Sequence, residues 1–374
     1  MTDLEHILIE RIRRDGPMPF AAFMQLALYH PRHGYYARGP RTGWKGDFIT
    51  SPELDPAYGG LWALAFQQVW LSAGRPEGFT IVEVGPGEGG FAAAVLGAIE
   101  PALRTSLRYV LVERTPEGQA RQRERLGDPG DVVWVPSIVD LGSAPIGVVF
   151  ANEVLDNVPV HVVELRDGEL MEVCVTVRDG GLGKELLPPS SPELAAFVER
   201  TRAQLADGTR YEVGLGAVSM ARRLAGIIDR GALFFVDYGD TAEGLSARPG
   251  GTLLTYGGSG ASPDLLSEPG ERDITSHANW TAIDRVLREA GMEVQGPAPQ
   301  ANVLRGLGLG VVDDELRAAH AEALRNKDGV RAVAALSRRQ ALGVLVDPAG
   351  LGGLQVVAGM RGVTFNLGSD AGAD

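Results

Sequence analysis

The sequence has almost no cysteine and almost no lysine. Cys174 stands alone among 374 residues, which excludes an intramolecular disulfide and any Cys-rich zinc or iron–sulfur site. No stretch approaches the roughly 18–20 uncharged apolar residues that a membrane-spanning helix needs. The opening Met1-Thr2-Asp3-Leu4-Glu5 is acidic where a signal or transit peptide would be basic, so a cytoplasmic location is expected. Lysine occurs only at Lys45, Lys184 and Lys327, and Lys+Arg 35 against Asp+Glu 48 leaves a net charge of −13. Such a chain repels phosphate backbones, and no basic cluster with interleaved aromatics is present, so nucleic acid is not an expected partner. A cationic protein or peptide suits the charge better. The scarcity of lysine beside Gly 50 and Pro 23 reflects a GC-rich genome more simply than a function. Hydrophobic residues at 44% and charged residues at 22% describe an ordinary globular chain. Its length fits two domains, or one large α/β domain with insertions.

What is present reads as an α/β fold. Helical spacing runs through Leu4, Ile7, Leu8 and Ile12, and again through Phe20, Phe23, Met24 and Leu28 up to His30-Pro31. Ser51-Pro52-Glu53 is a helix-start signature, predicting one helix through Leu61, Trp62 and Trp70. From Phe79, short apolar runs alternate with helical segments, the pattern of a parallel sheet. The expected strands are 80–84, 109–113, 132–135, 147–151 and 232–237, with 292–294 and 354–360 closing the set. Between the fourth and fifth lies an insertion: strands 160–165 and 170–177 around Arg166-Asp167-Gly168, then a helix over 192–205. A long Gly/Pro/Ser-rich loop is expected from Asp237 to about Arg272. Helices at 280–290, 314–324 and 329–342 follow.

Two strand ends carry chemistry. The first is Glu83-Val84-Gly85-Pro86-Gly87-Glu88-Gly89-Gly90, where glycines allow a backbone to approach a ligand at a helix N-terminus. Gly85, Gly87 and Gly90 fit a dinucleotide fingerprint; Gly85, Gly87 and Gly89 fit the loop of S-adenosylmethionine (SAM) methyltransferases. Glu83 is placed to hold an ammonium or order water, and Glu113, at the end of the next strand, to accept ribose hydroxyls. The second is Asn152-Glu153-Val154-Leu155-Asp156-Asn157 at the fourth strand's carboxyl end, where open α/β sheets bind ligands. Asn152, Glu153 and Asp156 suit a cationic nucleophile, although Asp156 and Asn157 also suit helix capping. His30 and His33 lack a completing carboxylate or thiol, so no metal is expected. Cys174 reads as a buried small hydrophobe.

Together these blocks resemble the MidA-like SAM-dependent methyltransferases, which include the mitochondrial complex I assembly factor acting on an arginine of a complex I core subunit. The resemblance rests on Tyr29-His30-Pro31 with Gly34-Tyr35-Tyr36, on Gly46-Asp47-Phe48-Ile49-Thr50-Ser51-Pro52-Glu53 and on Glu83-Val84-Gly85-Pro86-Gly87. It continues through Ala151-Asn152-Glu153, Asp156, Pro159, Val236-Asp237-Tyr238-Gly239, Pro269-Gly270-Glu271-Arg272-Asp273-Ile274-Thr275-Ser276-His277 and Gln300. It implies a class I, Rossmann-like methyltransferase sheet with an N-terminal helical extension and inserted substrate-binding segments. The implied divisions are a cofactor-covering segment (1–75), the SAM-binding core (76–240, with the insertion at about 160–210), a substrate-side segment (241–345) and a last strand with tail (346–374).

The implied cofactor residues are Glu83, Gly85, Pro86, Gly87, Gly89, Glu113 and Asn152, with Thr50, Pro52 and Glu53 over them. Glu153 is the expected catalytic carboxylate, with Asp156 or Asp47 as its second. Tyr36, Asp237, Tyr238 and His277 are expected near the acceptor. The implied acceptor is a protein arginine, and a homodimer is consistent with the family. The sequence departs from the family at Glu88, at Glu212-Val213-Gly214-Leu215, at Leu254-Thr255-Tyr256-Gly257-Gly258 and at Asn279, regions suited to acceptor choice. The competing readings are a nicotinamide or flavin oxidoreductase, a methyltransferase of small metabolites, and a non-catalytic assembly chaperone.

Overall fold

The computed structural model describes residues 2–38, 50–127, 129–258 and 260–368. Two helices open the chain, α1 (Asp3–Asp15) and α2 (Phe20–Tyr29). Thr2 caps α1 by accepting the Glu5 amide. α2 stops where Pro31 disfavours a helical His30, and His30 Nδ1 accepts the Arg32 and His33 amides at 3.3 and 3.2 Å. That nitrogen is spent on a turn.

The Ser51-Pro52-Glu53 signal opens a single turn, Ser51–Leu54, rather than the long helix it predicts. Pro56 forces Asp55 into an extended conformation (φ −155°, ψ 141°), and α3 (Ala57–Ser72) starts afresh behind it. The buried Asp55 carboxylate accepts the Ala57 amide at 2.8 Å and a bidentate pair from Arg338 at 2.7 and 2.9 Å.

The core follows as β1 (Phe79–Val84), α4 (Gly90–Ala98), β2 (Leu107–Val112), α5 (Pro116–Leu126), β3 (Val132–Val135) and β4 (Ala144–Asn152). The insertion is an antiparallel sheet of β5 (His161–Arg166), β6 (Glu169–Arg178), β7 (Gly181–Leu187) and β8 (Arg210–Val213), with α6 (Pro192–Thr201) between the last two. α6 ends at Thr201, short of the expected 205, because Arg202 turns left-handed at φ +56°. Then come α7 (Leu215–Ala225) and β9 (Ile228–Asp237). The expected loop to Arg272 is instead ordered around a small sheet of β10 (Leu254–Gly257), β11 (Gly260–Ser262) and β12 (Asp273–Thr275). The chain closes with α8 (Trp280–Glu289), β13 (Glu293–Pro299), α9 (Leu309–Arg325), α10 (Gly329–Leu345) and β14 (Gln355–Arg361).

The central sheet has the order β13-β14-β9-β4-β1-β2-β3, parallel except for β14, which runs antiparallel to both neighbours. Its middle strands are buried on both faces, which is why they read as near-continuous apolar runs. On one face Trp62 and Phe66 of α3, Phe91 of α4, Phe150 and Phe234 form one aromatic cluster, Phe91 stacking on Phe150 with centroids 4.5 Å apart. The other face packs α7 and α8 through Ala221, Leu224, Ile283 and Leu287. The N-terminal helices do not stand alone. Leu8, Phe20, Phe23 and Leu28 share a core with Val162, Val173 and Val175 of the insertion, and Met18-Pro19 pairs along β6 opposite Val175 and the buried Cys174. The sheet order reverses at the β1–β4 boundary, so the carboxyl ends of these strands diverge into a crevice.

Asp55→Ala removes a buried carboxylate that both starts α3 and anchors α10. It should lower stability by about 2–3 kcal/mol, read as a lower melting temperature of the intact chain.

Candidate active site

A cavity of about 1170 Å³ opens at the crevice. One side is built from the glycine turn after β1. Gly85, Gly87 and Gly89 all have positive φ (69°, 52° and 78°), which only glycine adopts without strain. A Cβ on Gly85 would lie 2.9 Å from Val154, whereas one on Gly87 would meet nothing within 4 Å and would project into the cavity. Gly89 caps α4, where a Cβ would meet Gln122 at 3.3 Å, and it is Gly90 rather than Gly89 that lines the cavity.

The acids behind this turn are organised by groups the sequence reading missed. Glu113 Oε1 accepts the amide and hydroxyl of Thr115 at 2.8 and 2.7 Å, and Oε2 accepts Gln122 Nε2 at 3.1 Å. Gln122, fully buried, also donates to the Gly87 carbonyl at 2.8 Å, so the glycine turn and the acid share one strut. Oε2 is therefore the freer oxygen of Glu113. Glu83 lies under the turn with the Tyr109 hydroxyl at 2.7 Å, and burial pushes its carboxyl up to about 8. Glu88 pairs with Arg121 at 3.0 Å.

The carboxyl end of β4 forms the cavity floor. Glu153 has φ +51°, an uncommon conformation for a non-glycine residue. Its Oε1 accepts Asn152 Nδ2 at 2.8 Å and the Ser51 amide at 3.4 Å, and burial together with Asp156 pushes the carboxyl to about 8. Burial pushes Asp156 to about 7, and its Oδ1 has no hydrogen-bond partner among the described residues. Asp237, expected near the acceptor, is not at the cavity. Its Oδ2 accepts the amides of Val154, Leu155 and Asp156 at 3.0, 2.8 and 3.3 Å, and Oδ1 accepts the Tyr238 amide at 2.8 Å. With four amide donors, it builds the turn rather than meeting a ligand.

The far side combines aromatic rings and acid. Tyr36 stacks on Tyr29 with centroids 5.5 Å apart, and its hydroxyl donates toward Asn157 Oδ1 at 3.0 Å and Asp273 at 3.3 Å. Asp273, buried and pushed up to about 8 by burial and Asp156, lines the cavity beside Tyr238, Tyr256 and His277. His277 Nδ1 faces Arg248 at 3.2 Å; an arginine only donates, so Nδ1 accepts and the neutral ring carries its proton on Nε2. Burial and Arg248 both favour that neutral form. Thr50, Pro52 and Glu53 line the cavity. Asp47 lies outside the described residues.

These residues fit a SAM-sized ligand: Gly87 leaves open space where a side chain would stand, and Glu113 keeps acceptor capacity toward a ribose. Comparison with known proteins agrees. Residues 61–298 match the profile of a family of S-adenosyl-L-methionine-dependent methyltransferases. The chain is 27% identical over 335 residues to the mitochondrial protein arginine methyltransferase NDUFAF7 of Xenopus tropicalis, covering 81% of this chain and 75% of that protein. The Homo sapiens protein of that name is 26% identical over 344 residues, covering 83% and 74%. A Burkholderia thailandensis protein crystallised with S-adenosyl-homocysteine is 30% identical, with TM-score 0.84 over 98% of this chain and 94% of that one.

Gly87→Val places a β-branched side chain at positive φ in the cavity. Titration calorimetry should show S-adenosyl-homocysteine binding lost while the circular dichroism of the fold is retained.

Proposed function

Because the chain belongs to the family of S-adenosyl-L-methionine-dependent methyltransferases, we propose that it methylates an arginine of a protein or peptide. The observation that carries this reading is three carboxyls, the buried Asp156 and Asp273 and the half-buried Glu153, lining one cavity with the rings of Tyr29, Tyr36, Tyr238 and Tyr256. Carboxyls in low dielectric hold protons until a cation arrives, and tyrosine faces attract a planar guanidinium. The names of the relatives, protein arginine methyltransferases, support the same acceptor. The cavity, at about 1170 Å³, exceeds the roughly 300–1,000 Å³ of an ordinary ligand site, leaving room for an acceptor side chain beside the cofactor.

The Gly85–Gly87 turn, Glu113 and Asn152 would hold the cofactor, which supplies an activated methyl on a sulfonium when bound. The protein's share is alignment and charge. A guanidinium has a pKa above ~12, so no side chain here deprotonates it beforehand. Glu153 fixes the charge on part of the guanidinium and turns one nitrogen's electron density toward the methyl. It then takes the proton as the bond forms. Asp156, with its unpartnered oxygen, is the second carboxylate, and Asp273 closes the far side.

The direct test is transfer of labelled methyl from SAM to lysate proteins, followed by mass spectrometry of the labelled product. Methylarginine supports the proposal; label confined to small metabolites, or to other side chains, overturns it. Glu153→Gln keeps shape and removes charge. Single-turnover methyl transfer should fall by roughly two to four orders of magnitude while SAM affinity stays within a few-fold.

The raised carboxyls give turnover a pH dependence of defined sign. Well below pH 7 Glu153 and Asp156 are both protonated and the clamp is uncharged; well above pH 8 both are ionised. The rate at low acceptor concentration should therefore rise from about pH 6.5 to about pH 8.5. Saturating acceptor, whose charge stabilises the carboxylates, should move the rise to lower pH.

A further inference from the structure

We propose that Gln300 is a positioning residue that sets Asn152 and the Ser51–Glu53 turn against the bound cofactor, an inference that rests on the cofactor site described above. Gln300 begins the short helix Gln300–Gly306, is fully buried and does not line the cavity. Its orientation is fixed. Nε2 donates to the Leu351 carbonyl at 2.9 Å and to Ser51 Oγ at 3.0 Å, which turns Oε1 toward the Tyr58 hydroxyl at 3.2 Å.

From there the bonds run to the cavity. The Tyr58 hydroxyl lies 2.6 Å from Asn152 Oδ1, so its single proton is shared unequally between the two carbonyl oxygens and favours Asn152. That contact fixes the Asn152 amide, whose Nδ2 then donates to Glu153 Oε1 at 2.8 Å. The ring closes through Ser51, whose amide points at the same Glu153 oxygen at 3.4 Å. Gln300, Tyr58, Asn152, Glu153 and Ser51 thus form one loop of hydrogen bonds. Only Asn152 and Glu153 of the five line the cavity, flanked by Thr50 and Pro52 on either side of Ser51.

A fully buried amide costs free energy unless every polar atom is used, and an apolar side chain would fill the same space without that cost. Here each atom of the Gln300 amide has a partner, and two of those partners lead to cavity residues. Networks of this kind specify one geometry because each member fixes the next.

The test uses S-adenosyl-homocysteine titrations of the full chain. Tyr58→Phe removes one hydroxyl without changing shape, and Gln300→Leu removes the buried amide. Each should weaken binding by about three- to tenfold. The double variant should bind no more weakly than the weaker single, since both break one chain of bonds. Unchanged affinity in Tyr58→Phe, or losses that multiply in the double variant, would overturn the proposal even where melting temperatures fall. If Gln300→Leu does not fold, Ser51→Ala replaces it, breaking the other arm of the ring with the same expected loss. Wild-type protein that fails to bind S-adenosyl-homocysteine would overturn the cofactor site itself; wild-type binding with unaffected Tyr58→Phe overturns only the role of Gln300.

Discussion

The site depends on one carboxylate whose oxygens are taken up by backbone amides. Asp237, at the end of β9, gathers three consecutive amides of Val154, Leu155 and Asp156, and its second oxygen takes its neighbour's amide. A chain leaving a parallel strand normally has several orphaned N–H groups to satisfy. Asp237 satisfies them by bending β4's exit into a tight turn, and the left-handed Glu153 is the hinge of that bend. Backbone strain of this kind costs about 1–3 kcal/mol and persists only where the surroundings over-determine it. The Glu153 amide bonded to Val236 at 2.8 Å and the Asp237 cradle supply that determination. Glu153 and Asp156 consequently reach the cavity from one turn.

That arrangement concentrates like charge. Asp156 and Asp273 are buried and Glu153 half-buried, and all three carboxyls are raised, with Asp156 contributing to the shift of the other two. Burial withholds water from these groups, and the cationic acceptor proposed above would relieve their crowding. Tyr29 and Tyr36 stack on each other, and Arg114 lies over the Tyr29 ring at 4.7 Å, so this pair already holds one guanidinium of the chain's own.

Much of this was legible from the residues. The parallel strands announced themselves because burial on both faces demands unbroken apolar runs, and Gly85 and Gly87 because only glycine sits comfortably where they turn. Glu113, Asn152 and Glu153 followed from the rule that α/β sheets work at their carboxyl ends. The failures share a cause. Pro56 breaks a helix whose apolar spacing continues past it, so the spacing alone does not mark the break. The small sheet at Leu254–Thr275 has strands of three or four residues, too short for an alternating pattern to register. Asp237 looked like a pocket residue because its strand ends at the crevice, yet its partners are amides 81 to 83 positions earlier in the chain. Gln122 and Tyr58 act through hydrogen bonds to other elements, and no periodicity encodes those.

The Asp55–Arg338 pair ties the entrance of the cavity to a helix some 283 residues later, and Gln300 ties it to the carbonyl of Leu351. During synthesis the glycine turn, Glu113 and the exit of β4 all emerge long before these anchors do. A ribosome-bound chain released to about residue 290 owns the sheet's first strands and the Glu153 contact to the Ser51 amide, but lacks both of these later anchors. The Ser51–Asp55 wall of the cavity is thus among the first parts of the site to be translated and the last to be fully fastened.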